Sequence, residues 1–260
     1  MTMSNMQRSR NILALDAAGA ACSCAVWSEG QIAARYFESM SRGQSERLVP
    51  MADEVMERAG LEYSQLDAIA VTLGPGGFTG VRIGLATARA FALALSRPVI
   101  GVTNFEAVAA AALQEECAGH SLVAVLDAKR ADLYAQAFRM GDDFSANDQT
   151  QGFLDPLTAP TALLPDELDT YLPDGPLVLI GDAVEVAGAS LKAAGRQFKF
   201  SRGKGLTDAS LVAALAAGRP LPDPELPSPG PLYLRAPDVT LPGGRPFGAR
   251  PGAVRSKQGS

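Results

Sequence analysis

The chain has 260 residues, 47% of them hydrophobic, which suffices for one large core or two smaller ones. Its formal net charge of −5 excludes wholesale wrapping of nucleic acid, which needs a basic face to displace phosphate counterions, so any RNA contact is local or shared with a partner. Cys22, Cys24 and Cys117 are too few for a disulfide framework, and the opening MTMSNMQRSR lacks the apolar core of a signal peptide, so a cytoplasmic location is expected.

Three strands open the chain: NILALD at Asn11 to Asp16, CSCAVW at Cys22 to Trp27, and Gln31 to Phe37, with Gly19 and Ser28-Glu29-Gly30 as the turns. From Ser45 to Ala59 the period becomes helical. Leu48, Met51, Ala52, Val55, Met56 and Ala59 share one broad face, and Pro50 bends this helix or marks its first turns. AIAVTL at Ala68 to Leu73 is a strand that runs straight into GPGGFTG. A long apolar helix continues from there to Leu95, too short and too interrupted by Arg82 and Arg89 for a membrane span.

SLVAVLDAKRADLYAQAF, from Ser121, repeats the opening pattern of an apolar strand ending in Asp, a turn and a second strand, with Asp127 in the place of Asp16. Strand–helix alternation after each copy makes the fold α/β. Beyond Gln151 the chain is less regular: Leu177 to Gly181 is a strand, Thr207 to Ala217 a helix capped by Thr207 or Asp208, and six prolines from Arg219 to Leu232 imply an extended surface segment.

The loop Gly74, Gly76, Gly77, Thr79, Gly80 leaves two readings open. It is neither a Walker-type loop, because Val81 and Arg82 come directly after Gly80, nor a dinucleotide fingerprint, because position 79 is Thr79. Glycines, Thr79 as N-cap and the positive end of a helix dipole can hold a phosphate. Equally, the glycines can serve only to let backbones approach.

The helix after the loop is apolar on two sides. Val81, Gly84, Leu85, Ala88, Phe91, Ala92 and Leu95 form one face; Ile83, Ala86, Ala90, Leu93 and Ala94 form another. One face packs on the chain's own sheet. The other is covered by a helix of a partner or by the C-terminal half.

Chemistry-bearing residues are sparse. His120, the single histidine, is a solvated loop residue, no nucleophile elbow occurs, and Cys22 and Cys24 are small core residues. Asp16 and Asp127 are placed as the magnesium carboxylates of a small ATP-using kinase or ATPase, yet Ala17-Ala18-Gly19 and Ala128-Lys129-Arg130 replace the phosphate-gripping neighbours. No metal site is expected.

Taken together, ILALDAAGAACSCAVW, SERLVPMADEV, GPGGFTGVRIGLATARAFALAL, PVIGVTNFEAVA, DAKRADLYAQAF and PLYLRAPDV resemble the TsaB (YeaZ) family of tRNA threonylcarbamoyladenosine biosynthesis proteins. The resemblance implies two RNase H-like half-domains of the actin, hexokinase and heat-shock ATPase (ASKHA) superfamily. It implies a non-catalytic subunit, not a protease, that pairs with a TsaD-like paralogue, with a TsaE-like ATPase and with itself as a homodimer, and that meets tRNA only through the complex.

ATP or ADP with magnesium is implied for the complex rather than for the isolated chain. The pairing helices correspond to Leu48, Met51, Ala52 and Val55 on one and Ile83, Ala86, Ala90 and Leu93 on the other. Many relatives have a His where this chain has Gln44.

The expected organisation is a flexible N-terminus at 1–10, a first half with the pairing helices at 11–110, a second half at 111–241 and a disordered basic tail at 242–260. That tail holds Arg245, Arg250, Arg255 and Lys257 and no acid, so it carries +4 and the remainder −9, either a solvated end or an arm for tRNA phosphates.

Overall fold

The computed structural model describes residues 10–141, 154–223 and 226–235, with the backbone of 240–241 and 245–246. The expected N-terminal segment at 1–9 and most of the tail at 242–260 lie outside the described residues. The first sheet contains β1 (Ile12–Asp16), β2 (Ala21–Ser28), β3 (Gln31–Ser39), β4 (Ala68–Thr72) and β5 (Val99–Val102), in the order β3-β2-β1-β4-β5. β1, β2 and β3 pair antiparallel, whereas β4 and β5 run parallel to β1.

The second sheet repeats this plan. β6 (Ser121–Asp127) is its centre, β7 (Leu133–Met140) pairs antiparallel with it, and β8 (Leu154–Pro156) and β9 (Thr161–Leu163) both pair with β7. β10 (Leu177–Ile180) and β11 (Phe198–Phe200) add on the other side in parallel. Two sheets with the same order and strand directions are two copies of one RNase H-like plan. The repeat is legible because Asp16 and Asp127 end the two central strands.

Both faces of each sheet are covered, which is why their central strands are apolar throughout rather than alternating. On the first sheet Leu13, Leu15, Cys22, Cys24, Val26, Ile69 and Val71 meet α1 (Gln44–Ala59) and α2 (Phe78–Leu95). The helices bring Leu48, Met51, Ala52, Val55, Val81, Leu85 and Ala88 to this core. Pro50 lies inside α1, which continues through it to a left-handed Gly60 cap.

The opposite face, with Ala14, Ala25 and Ala70, meets Ala209, Val212, Ala213 and Ala216 of α7 (Ala209–Ala217). Alanine against alanine lets this helix lie close to the sheet. Asp208 caps it, accepting from Ser210 N–H at 2.9 Å, and pairs with Arg35 of β3. The expected second half therefore does not stay on its own sheet: α7 belongs to the first lobe's core, where Ala14, Ala25 and Ala70 offer a small-residue surface to its alanines.

Three further helices cover the second sheet. α3 (Asn104–Ala109), started by a reciprocal cap between Thr103 and Glu106, sends Phe105 and Val108 to one face. α5 (Leu168–Tyr171) and α6 (Val184–Ala193) cover the other with Leu168, Ala187 and Leu191. The short α4 (Gln114–Cys117) leads into β6. β12 (Thr240–Leu241) and β13 (Arg245–Pro246) form a separate two-stranded ladder.

The apolar stripe of α1 faces inward completely: Leu48, Met51, Ala52 and Val55 are all 0% exposed. This corrects the expectation that these four side chains meet a partner; the sheet of the same chain has already taken them. Met51→Ala is therefore expected to lower the unfolding free energy of the isolated chain by about 3 kcal/mol through the cavity it leaves. Chemical denaturation measures this, and an unchanged midpoint would place Met51 outside the core.

Candidate functional site

The loop between β4 and α2 lies against the β1–β2 turn, and its glycines answer to that contact. A Cβ on Gly76 would overlap the carbonyl oxygen of Ala18, and one on Gly80 that of Ala17. Gly77 N–H donates to Ala18 O at 2.7 Å, so the same carbonyl that excludes a side chain also anchors the loop. Gly74 takes a positive φ of 98°, and its N–H donates to Asn104 Oδ1 at 3.0 Å. Asn104 Nδ2 in turn donates to Thr207 Oγ1 at 3.0 Å.

The second reading of the loop is thus the one the geometry supports: close backbone approach. Thr79 is not the N-cap. The helix begins at Phe78, its cap is Gly77 without a side-chain bond, and Thr79 is exposed in the first turn. Replacing Gly80 by Ala would ordinarily favour a helix. Here Gly80→Ala is expected to destabilise by about 2 kcal/mol, because backbone must move to admit the methyl. A thermal melt that rises instead would refute the contact.

Asp16, at the end of β1, is sealed. It is 0% exposed, its Oδ1 accepts from Thr72 Oγ1 at 2.7 Å and from Ala18 N–H at 3.2 Å, and its Oδ2 has no protein partner. Burial pushes its pKa up from 3.8 to about 6, against the lowering effect of those bonds, with the Asp208 charge adding to the rise. The counterpart Asp127 is pulled below its usual value, chiefly by the Lys129 ammonium 2.8 Å from its Oδ2.

Between about pH 4 and pH 6 the folded state keeps the Asp16 proton that the unfolded state has lost, so stability from this group falls as pH rises through that window. The shift corresponds to about 3 kcal/mol. The stability of Asp16→Asn relative to the parent is therefore expected to improve by about that amount between pH 4 and pH 7. Parallel urea titrations measure the difference, and a constant offset across the range would contradict the burial of Asp16.

These residues do not fit the magnesium nucleotide of an ASKHA enzyme. The β1–β2 turn presents the carbonyls of Ala17 and Ala18 to the glycine loop, with no hydroxyl, and Asp16 cannot reach a cation from inside the core. Among the described residues no group of three or more His, Cys, Asp or Glu side chains comes together. Burial pushes the Cys22 thiol up to about 12 and Cys24 well above its usual range, which keeps both protonated. His120 is half-buried, its Nδ1 2.7 Å from the Ala118 carbonyl.

The long helix α2 divides as its two faces predicted. Val81, Gly84, Leu85, Ala88 and Ala92 are buried on the first sheet, with Phe91 half-buried and stacked on Tyr63 at 5.3 Å. Ile83 is half-buried, Ala86, Ala90 and Ala94 are exposed, and Leu93 is 84% exposed. By length and composition α2 passes for a membrane span, but the burial of its inner face on a sheet is that of a core helix at a protein surface.

A strap of residues 226–235 runs back along α2. Arg89 donates to Pro229 O at 2.9 Å, Leu232 N–H donates to Leu73 O at 2.7 Å, and Tyr233 stacks on Phe78. Among the described residues, the C-terminal part thus covers one flank of the helix. The sequence shows the prolines of this segment but not that it crosses from one lobe to the other, where Leu232 and Leu234 join the second lobe's core.

The chain is thus a two-lobed protein of RNase H-like sheets, with the first β-turn closed by a glycine loop, a buried carboxyl beneath it and one face of a core helix left open. The model for TsaD, tRNA N6-adenosine threonylcarbamoyltransferase, matches residues 36–156. The chain is 35% identical to the tRNA threonylcarbamoyladenosine biosynthesis protein TsaB of Escherichia coli over 146 residues, 56% of this chain and 62% of that one.

It is 38% identical to TsaB of Haemophilus influenzae over 123 residues, 47% of this chain and 51% of that one. The chain thus spans between half and two thirds of these relatives' lengths. The crystal structure of a Pseudomonas aeruginosa protein similar to peptidase YeaZ superposes with TM-score 0.69 at 26% identity, covering 87% of this chain and all of that one. The chain is thus similar to TsaB (YeaZ) proteins in sequence and in fold.

Proposed function

We propose that this chain is a non-catalytic subunit for making threonylcarbamoyladenosine in tRNA, which pairs with a TsaD-like transferase by taking a partner helix on the outer face of α2. The observation that carries the reading is the apolar stripe of Ala86, Ala90, Leu93 and Ala94, left open although the helix is otherwise packed. Small side chains let a second helix approach closely, and Leu93 supplies an anchor.

Leu48, Met51, Ala52 and Val55 contribute from beneath, by holding α1 beside α2. The relatives' names supply the pathway, and the match to a TsaD model supports a partner of related fold. The sealed Asp16 disfavours the rival reading of a small ATP-using enzyme.

In this reading the chain works in the cytoplasm. A TsaE-like ATPase joins the assembly, and ATP or ADP with magnesium serves the complex rather than this subunit alone. The same stripe serves a homodimer when the transferase is absent. Ala90→Arg places a charge in the stripe at a surface position, so the isolated protein should keep its stability within about 0.5 kcal/mol. Gel filtration with the TsaD-like protein should show loss of co-elution, and tRNA modification should fall with it. Retained co-elution would move the interface elsewhere.

A further inference from the structure

Between the lobes lies a solvent-open cavity of about 450 Å³, a volume suited to a small organic group. The glycine loop and the start of α2 form one wall, the turn between β6 and β7 the other, and the strap closes one end. At its mouth Phe78 and Tyr233 stack with centroids 5.5 Å apart, yet remain 46% and 44% exposed. Arg82 fixes both: its guanidinium lies 3.6 Å from the Phe78 centroid and its Nε donates to Tyr233 Oη at 3.0 Å. These rings are rigid and half bare.

The remaining lining complements them. Tyr134 adds a third ring, and Lys129, Arg130 and Arg235 add three cations, with no acidic side chain in the wall. Lys129 and Arg235 share their charge with Asp127 and Asp132 behind the lining, but the Lys129 side chain is still 74% exposed. Pre-set aromatic faces beside cations suit a base joined to a phosphate. The basic end is an open rim rather than an enclosed grip, so a chain can pass outside while one base enters.

We propose that this cavity takes one unpaired nucleotide of an RNA chain, its base against Phe78 and Tyr233 and its phosphodiester at Lys129 and Arg130. The proposal rests on the reading of a role in tRNA modification, and it concerns a surface separate from the helix stripe. A single local contact of this kind agrees with a net charge of −5.

The test is fluorescence anisotropy of the full-length chain with a short, unstructured, labelled oligoadenylate over a range of salt concentrations. Tyr233→Ala should weaken binding about tenfold through lost stacking. Lys129→Gln with Arg130→Gln should lower the slope of log affinity against log salt by about 0.7, the value for one phosphate contact on a single strand.

Should Tyr233→Ala unfold, the lysine and arginine changes, both on the surface, still decide. Ala90→Arg should leave oligonucleotide binding intact while abolishing co-elution with the transferase, which separates failure of this proposal from failure of the pairing reading. Unchanged affinity and salt slope in the cavity variants would overturn it, as would displacement of the oligonucleotide by an equal concentration of AMP.

Discussion

The approach of the glycine loop to the carbonyls of Ala17 and Ala18 is the contact on which the rest of the molecule depends. It joins the end of β4 to the end of β1 and sets where α2 begins. It also roofs Asp16. With the loop seated, the carboxyl has only Thr72 and Ala18 as partners, and burial holds its proton more tightly than water would. A turn that could grip phosphate has become a turn that carries a helix.

That helix then has two duties. Its inner residues close the first lobe's core, and its alanines and Leu93 remain at the surface. The strap bears on the same helix from the side, through Arg82 and Arg89, and carries Leu232 and Leu234 into the second lobe's core. The open apolar stripe, the interlobe cavity and the lobe-to-lobe connection therefore share α2 as a common wall.

The second lobe keeps the outline of the first but not its sealing. Asp127 is open enough to pair with Lys129, and its backbone N–H donates to Asp182 at 2.8 Å. Equivalent positions in a duplicated fold thus have opposite electrostatics: one carboxyl is sealed and its pKa raised by burial, the other is half-buried and its pKa lowered by Lys129. The difference lies in the residues just beyond each central strand. Small Ala17 and Ala18 admit a loop beside Asp16; Lys129 pairs with Asp127 instead.

Much was legible in the residues themselves. Alternation and apolar runs marked the central strands, the duplicated strand-Asp-turn-strand pattern gave two lobes, and the period of α2 gave one buried and one open face, because backbone geometry fixes which side chains share a side.

Only the tertiary structure decided what each buried face meets. The stripe of Leu48, Met51, Ala52 and Val55 goes to its own sheet rather than a partner, and α7 crosses back to the first lobe. Gly76 and Gly80 lie against the carbonyls of Ala18 and Ala17. Periodicity states that a surface must leave water; it does not say against which surface, since the hydrophobic effect has no direction and long-range contacts are chosen by shape.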